Sequence, residues 1–256
     1  PNYWPMYNDG IVWPSTFILA PATIYEQYGD ARVIERNYPA MKKWIEYMRT
    51  FLKDGIMPKN TYGDWCVPPE KPELIHSQDP ARQTQGALLS TAYYHHMLKL
   101  MSRYAALAGQ PADAKDYESL AAQTKAAFLT KYFNAATARF DNGTQTSAIL
   151  PLAFDMVPPS SRTAVFDSLV HKIGQESNNH VGVGLVGAQW LMRTLSANGR
   201  SGLAFTIATQ KTYPGWGYMV EKGATTVWER WDSFTREHGF NGAGGDQNAS
   251  MNSFSH

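Results

Sequence analysis

The residues best suited to chemistry are acids and a histidine set among aromatic rings. Glu229 lies in "GATTVWERWDS", between Trp228 and Trp231, with Arg230 at its side and Asp232 close behind. Two other acids have similar company, Asp9 in "YNDG" beside Tyr7 and Asp64 in "YGDW" beside Trp65. His256 stands among small polar residues in "MNSFSH". Glycosidic bond cleavage needs a carboxylic acid to protonate the leaving oxygen and a carboxylate to activate water or attack the sugar. Apolar walls raise a carboxyl pKa toward the working range and a neighbouring arginine opposes the rise, so Glu229 suits a base whose tuning Arg230 limits. A second possibility is that Glu229 simply pairs with Arg230 in a packed corner.

Composition points toward the same chemistry. The formal net charge of +1, with no basic or acidic run, offers no electrostatic footprint for nucleic acid or anionic lipid. Eight Trp and fourteen Tyr sit largely in polar or glycine-bearing stretches, as expected of a cleft that stacks rings on the C–H faces of sugars. The single cysteine, Cys66, excludes an intrachain disulfide framework and argues against a zinc–thiolate site. No apolar run is long enough to span a bilayer.

These residues must be positioned by helices, because apolar residues recur at three and four along most of the chain. Helices are expected from about Pro14 to Tyr28, over "DARVIERNYPAMKKWIEYMRTFL" with Asp30 as cap, from about Ala87 to Leu107, and over "PADAKDYESLAAQTKAAFLTKYF". Shorter ones follow in "TQTSAILPLAF", "PPSSRTAVFDSLVHKI", "VGVGLVGAQWLMRTLSANG" and "SGLAFTIATQ". The second helix should bury Val33, Ile34, Met41, Trp44, Ile45, Met48 and Leu52. Paired helices joined by short turns, with longer aromatic loops between them, describe an all-α chain of helical hairpins in one domain.

Two local patterns are misleading. "GVGLVG", from Gly182 to Gly187, spells a dinucleotide fingerprint, yet no strand precedes it; its glycines instead allow close packing or a tight turn into a helix. His95 and His96 are adjacent and point about 100° apart on a helix, so they do not form a two-histidine metal site, and a solvated or half-buried pair is expected. No cofactor and no metal are expected.

"GATTVWERWDS" followed by "ASMNSFSH" resembles the late catalytic segment of the α-L-rhamnosidases of glycoside hydrolase family 78. "YNDGIVWPSTFILAPATIYEQYGD", "YGDW", "TQTSAILPLAF" and "YPGWGYMVEKGATT" agree with that family in order. The resemblance implies an (α/α)6 barrel of six hairpins around a sugar pocket, and metal-free hydrolysis of terminal α-L-rhamnosides with inversion. It places Glu229 as general base, His256 as a rhamnose-binding histidine and Trp65 as a pocket aromatic. Asp9 matches a family aspartate that usually follows tryptophan and a small residue; here Tyr7 and Asn8 precede it, so the aromatic role passes to Tyr7. Asp64, Trp216, Trp231 and Asp232 are expected to line or support the pocket.

The family's general acid lies in an Arg-Asp-Glu-Arg segment that is absent here. The barrel is therefore expected to be incomplete in this chain, its first and last helices and its general acid lying outside residues 1–256, and these residues alone are expected to be inactive. The expected partners are a rhamnose-containing glycoside and the remaining domains of the same polypeptide, with no nucleic acid and no membrane span. The substrate class favours a periplasmic or secreted location. Two alternatives remain at this point: another inverting six-hairpin enzyme, trehalase-like or glucosidase-like, or a helical carbohydrate-binding module without catalysis.

Overall fold

The computed structural model describes residues 10–70, Leu74, 77–231, 233–235 and 239–240. The chain forms two compact units, one running to Gly63 and resuming over Gln85–Phe133, the other comprising Asp64–Thr84 and the chain from Asn134.

Among the described residues the first unit holds four helices, α1 (Thr16–Tyr28), α2 (Arg32–Arg49), α3 (Gly86–Leu107) and α4 (Pro111–Tyr132). Their ends follow local rules. Gly29 closes α1 at φ 65°, a left-handed conformation that costs glycine little, and its N–H donates to the Tyr25 carbonyl. Asp30 does not cap α2 as expected: the N-cap position is Ala31, and the Asp30 carboxylate, one residue earlier, accepts the Arg32 N–H at 3.0 Å. Pro111 occupies the first turn of α4, where its missing N–H is not needed.

Ile34, Met41, Ile45 and Met48 of α2 are buried as the 3.6-residue period requires. Val33, Trp44 and Leu52 are only part-buried, and the stripe instead includes Tyr38. The Tyr38 hydroxyl donates to Asp113 Oδ2 at 2.8 Å, and Lys42 reaches the same oxygen at 2.6 Å, tying α2 to α4. Helix α3 is apolar nearly all round because α1, α2 and α4 all pack against it. Each fully buried side chain there, such as Met97 or Leu98, contributes roughly 1.5–3 kcal/mol relative to exposure.

His95 corrects one expectation. It is buried, not solvated, with Nδ1 3.0 Å from the Ala121 carbonyl, while His96 is half-buried. Burial lowers both pKa values, that of His96 to about 4 with help from the neighbouring His95 and Arg103. Both rings therefore fold neutral, and the unfolded chain protonates first as pH falls below about 6.5. The stabilisation from His96 is complete above that pH and is lost progressively on descent toward 4, and that from His95 is lost in the same direction. Denaturant titrations at pH 7.5 and 4.5 should show this loss, and His96→Gln should remove about 2 kcal/mol of the difference, a magnitude reduced for the ring's residual exposure. An unchanged difference in the variant would contradict the assignment.

The second unit carries α5 (Gln145–Ala153), α6 (Arg162–His171), α7 (Leu185–Ala197), α8 (Ser201–Ala208) and α9 (Trp216–Glu221). Helix α5 packs on α6 and α7, α7 on α8, and α8 on α9. The Thr144 hydroxyl caps α5 by accepting the Ser147 N–H at 3.2 Å. A π-helical turn, Lys172–Glu176, prolongs α6. Periodicity does not reveal α9, whose six residues are too few to establish a stripe. Four two-residue strands complete the described structure: β1 (Phe133–Asn134), β2 (Arg139–Phe140), β3 (Phe234–Thr235) and β4 (Gly239–Phe240), with β3 and β4 antiparallel. Among the described residues no helix is long and apolar enough to cross a membrane.

Candidate functional site

The site lies in the second unit and is organised around a buried carboxylate. A helix start leaves backbone N–H groups without intrahelical partners and carries partial positive charge. At α7 those groups are satisfied by Asp64, whose Oδ2 accepts the Gly184 N–H at 3.0 Å and whose Oδ1 accepts the Gly187 N–H at 3.1 Å. The Thr146 hydroxyl donates to Oδ2 at 2.5 Å. Burial pushes the Asp64 carboxyl pKa up, and the hydroxyl and backbone donors pull it back.

The "GVGLVG" run now has a physical reason. A Cβ on Gly184 would overlap the backbone carbonyls of Asp64 and Trp65, and one on Gly187 would overlap the Thr146 hydroxyl and the Val183 side chain. The glycines admit an aspartate and its stretch of backbone, and so allow the close packing expected of them. Asp64 thus faces a helix terminus, and it sets the position of the next residue, Trp65, whose carbonyl accepts the Leu185 N–H at 2.7 Å.

From this anchor the Trp65 indole reaches Glu229, with Nε1 donating to Oε1 at 3.4 Å across 164 residues of sequence. Glu229 is half-buried between buried neighbours on both sides. The side chain of Arg230 is fully buried, and its Nη2 donates to the Leu74 carbonyl at 2.8 Å. Trp231 is buried as well, donating from Nε1 to the Val183 carbonyl at 2.9 Å. The half-buried Trp216 meets Trp231 edge to face, with centroids 4.9 Å apart and planes at 78°. Glu229 thus meets the Trp65 indole N–H and stays half-buried, beside the buried Trp228, Arg230 and Trp231.

Glu229, Trp65, Asp64, Trp216 and Trp231 are thus linked within one unit. Tyr7, Asp9, Asp232 and His256 lie outside the described residues. Sequence reasoning missed Thr146, Leu74 and Val183. Thr146 left a signal, because residues 144–147 are a run of four polar side chains, all buried, opening an apolar helix. Leu74 and Val183 act through backbone carbonyls, which any residue type supplies. Among the described residues, no group of three His, Cys, Asp or Glu side chains is arranged to hold a metal ion.

Comparison with known proteins gives this geometry a context. The family described as the bacterial α-L-rhamnosidase 6 hairpin glycosidase domain matches residues 1–256. An α-L-rhamnosidase of Formosa agariphila is 33% identical over 90% of this chain and 24% of its own length. The crystal structure of Streptomyces avermitilis α-L-rhamnosidase, complexed with L-rhamnose, superposes with a TM-score of 0.82 at 31% identity, over 95% of this chain and 22% of that one. The α-L-rhamnosidase from Dictyoglumus thermophilum superposes at 0.83 with 33% identity, over 92% of this chain and 26% of its own. The chain spans about a quarter of the length of these relatives. A match along its full length, together with the shared helical fold, makes the chain a member of the bacterial α-L-rhamnosidase six-hairpin glycosidase family.

Proposed function

We propose that the protein to which this chain belongs hydrolyses terminal α-L-rhamnosides with inversion, and that Glu229 is the general base. The observation that carries the reading is the half-buried Glu229 carboxylate, held by the Trp65 indole N–H inside an aromatic frame. Family membership supports rhamnose as the sugar, as does the relative from Streptomyces avermitilis in complex with L-rhamnose.

In this mechanism a water molecule sits between Glu229 and the anomeric carbon. Glu229 accepts its proton as the oxygen attacks, and the bond to the leaving oxygen breaks on the opposite face. That oxygen takes a proton from a second carboxyl group, assigned in this proposal to a residue outside positions 1–256. The two carboxyls of an inverting pair stand about 6.5–9.5 Å apart, leaving room for the water. The Trp65 N–H orients the base, and Asp64 orients Trp65 by holding its backbone against α7.

Proton NMR of early turnover of an aryl α-L-rhamnoside by the intact protein tests the stereochemistry. The β-anomer of L-rhamnose should appear first and equilibrate later. The α-anomer appearing first would overturn the inverting assignment, and no hydrolysis would overturn the activity itself.

A further inference from the structure

Glu229 and Trp65 meet although neither belongs to a helix or a strand, so no regular ladder of backbone bonds sets the 3.4 Å contact between them. Their positions depend on ties to regular structure nearby. Both segments are tied to the same place. On one side, Asp64 accepts the Gly184 and Gly187 N–H groups, and the Trp65 carbonyl accepts the Leu185 N–H. On the other, Trp231 Nε1 donates to the Val183 carbonyl at 2.9 Å. Val183, Gly184 and Leu185, consecutive at the start of α7, thus receive both the segment that carries the carboxylate and the segment that carries its hydrogen-bond donor.

Trp231 suits the task of holding the first of these segments. It is only 5% exposed, which leaves it no ring face to offer a sugar. Its indole N–H is a donor only and, once buried, needs an acceptor. Val183 supplies one that has little room to move, because its side chain is buried and the next residue, Gly184, lies so close to the Asp64 and Trp65 carbonyls that a Cβ would overlap them. Trp231 follows Glu229 by two positions, at most about 7 Å of extended chain, so a shift of its ring passes to the carboxylate over a short lever.

We propose that Trp231 is a positioning residue, which holds Glu229 within hydrogen-bonding distance of Trp65 by anchoring the base segment to the Val183 carbonyl. The inference rests on the hydrolytic reading above, in which Glu229 is the base. It places Trp231 behind the base, where it acts on the carboxylate and not on the sugar.

Trp231→Phe in the intact protein keeps a large ring and removes the N–H. On an aryl α-L-rhamnoside its kcat should fall about tenfold, because a small misplacement of a catalytic group is costly. KM and L-rhamnose affinity should stay within about twofold of the parent. In a Glu229→Ala background, where added azide takes the place of the activated water, there is no carboxylate to misplace, and the same substitution should change azide-dependent turnover by less than about twofold. Trp231→His tests the donor separately: Nε2 of its five-membered ring can take the place of the indole nitrogen, while the six-membered ring is lost. It should be less stable than Trp231→Phe and yet have the higher kcat. If the histidine variant does not fold, the comparison of the two backgrounds decides. Equal losses in both backgrounds, an unchanged kcat in Trp231→Phe, or a kcat that follows stability through the parent and both variants would overturn the positioning role alone. Undiminished turnover by Glu229→Ala, or no rescue by azide, would overturn Glu229 as the base, and the positioning role with it.

Discussion

Glu229→Gln in the intact protein is expected to lower kcat on an aryl α-L-rhamnoside by about 10²–10⁴-fold, the contribution typical of a positioned general base. Glutamine keeps the shape of the side chain, and its carbonyl oxygen can still accept the Trp65 Nε1 hydrogen bond seen at 3.4 Å. Its amide nitrogen has no basic lone pair and removes no proton from water. KM and L-rhamnose binding should therefore change little, which separates loss of chemistry from loss of the site. Steady-state kinetics, rhamnose titration calorimetry and circular dichroism together distinguish the two. Near-parental turnover would remove Glu229 from its role.

The second large effect is expected at Asp64. Its partners are all donors, the Thr146 hydroxyl and backbone N–H groups at the start of α7, so the pocket is built for an acceptor with two oxygens. Asp64→Asn replaces one oxygen with an NH₂ that must face an N–H group. The loss of one charge-assisted bond and the stranding of a buried donor should cost about 2–4 kcal/mol. Burial alone favours the protonated acid, which asparagine mimics, so the variant also decides which influence wins. A drop in urea midpoint of the expected size means the ionised carboxylate is the working form. A change below about 0.5 kcal/mol would mean that Asp64 folds protonated. Because Trp65 is set by the same anchor, kcat should fall in the variant even where it remains folded.

Much of this architecture could be read from residue order. The burial of Ile34, Met41, Ile45 and Met48 on α2 is a local effect of helical period and lies where the sequence predicts, and the glycine after α1 and the proline at the start of α4 obey equally local rules. The short α9 escaped because six residues hold fewer than two helical turns. Tyr38 escaped because its hydroxyl is satisfied by Asp113, 75 residues away, which a stripe of apolar letters does not reveal.

The site divides in the same way. Its aromatic and acidic character was legible in "YGDW" and "VWERWD", and its meaning for rhamnose came from the order of whole segments. The glycine run was readable as close packing, but the Asp64 carboxylate that occupies it was not, because that contact spans about 120 residues. Arg230 Nη2 donates to the Leu74 carbonyl, an acceptor that carries no sequence signature.

The most direct test of the central claim is chemical rescue of Glu229→Ala in the intact protein. With the base removed, a small anion that needs no deprotonation can attack from the space the carboxylate and its water occupied. Azide should restore turnover of the aryl rhamnoside and yield β-L-rhamnosyl azide, the product of inversion at the anomeric carbon. Absence of rescue in a folded variant that still binds rhamnose, or formation of the α-azide, would contradict the assignment of Glu229 as the base.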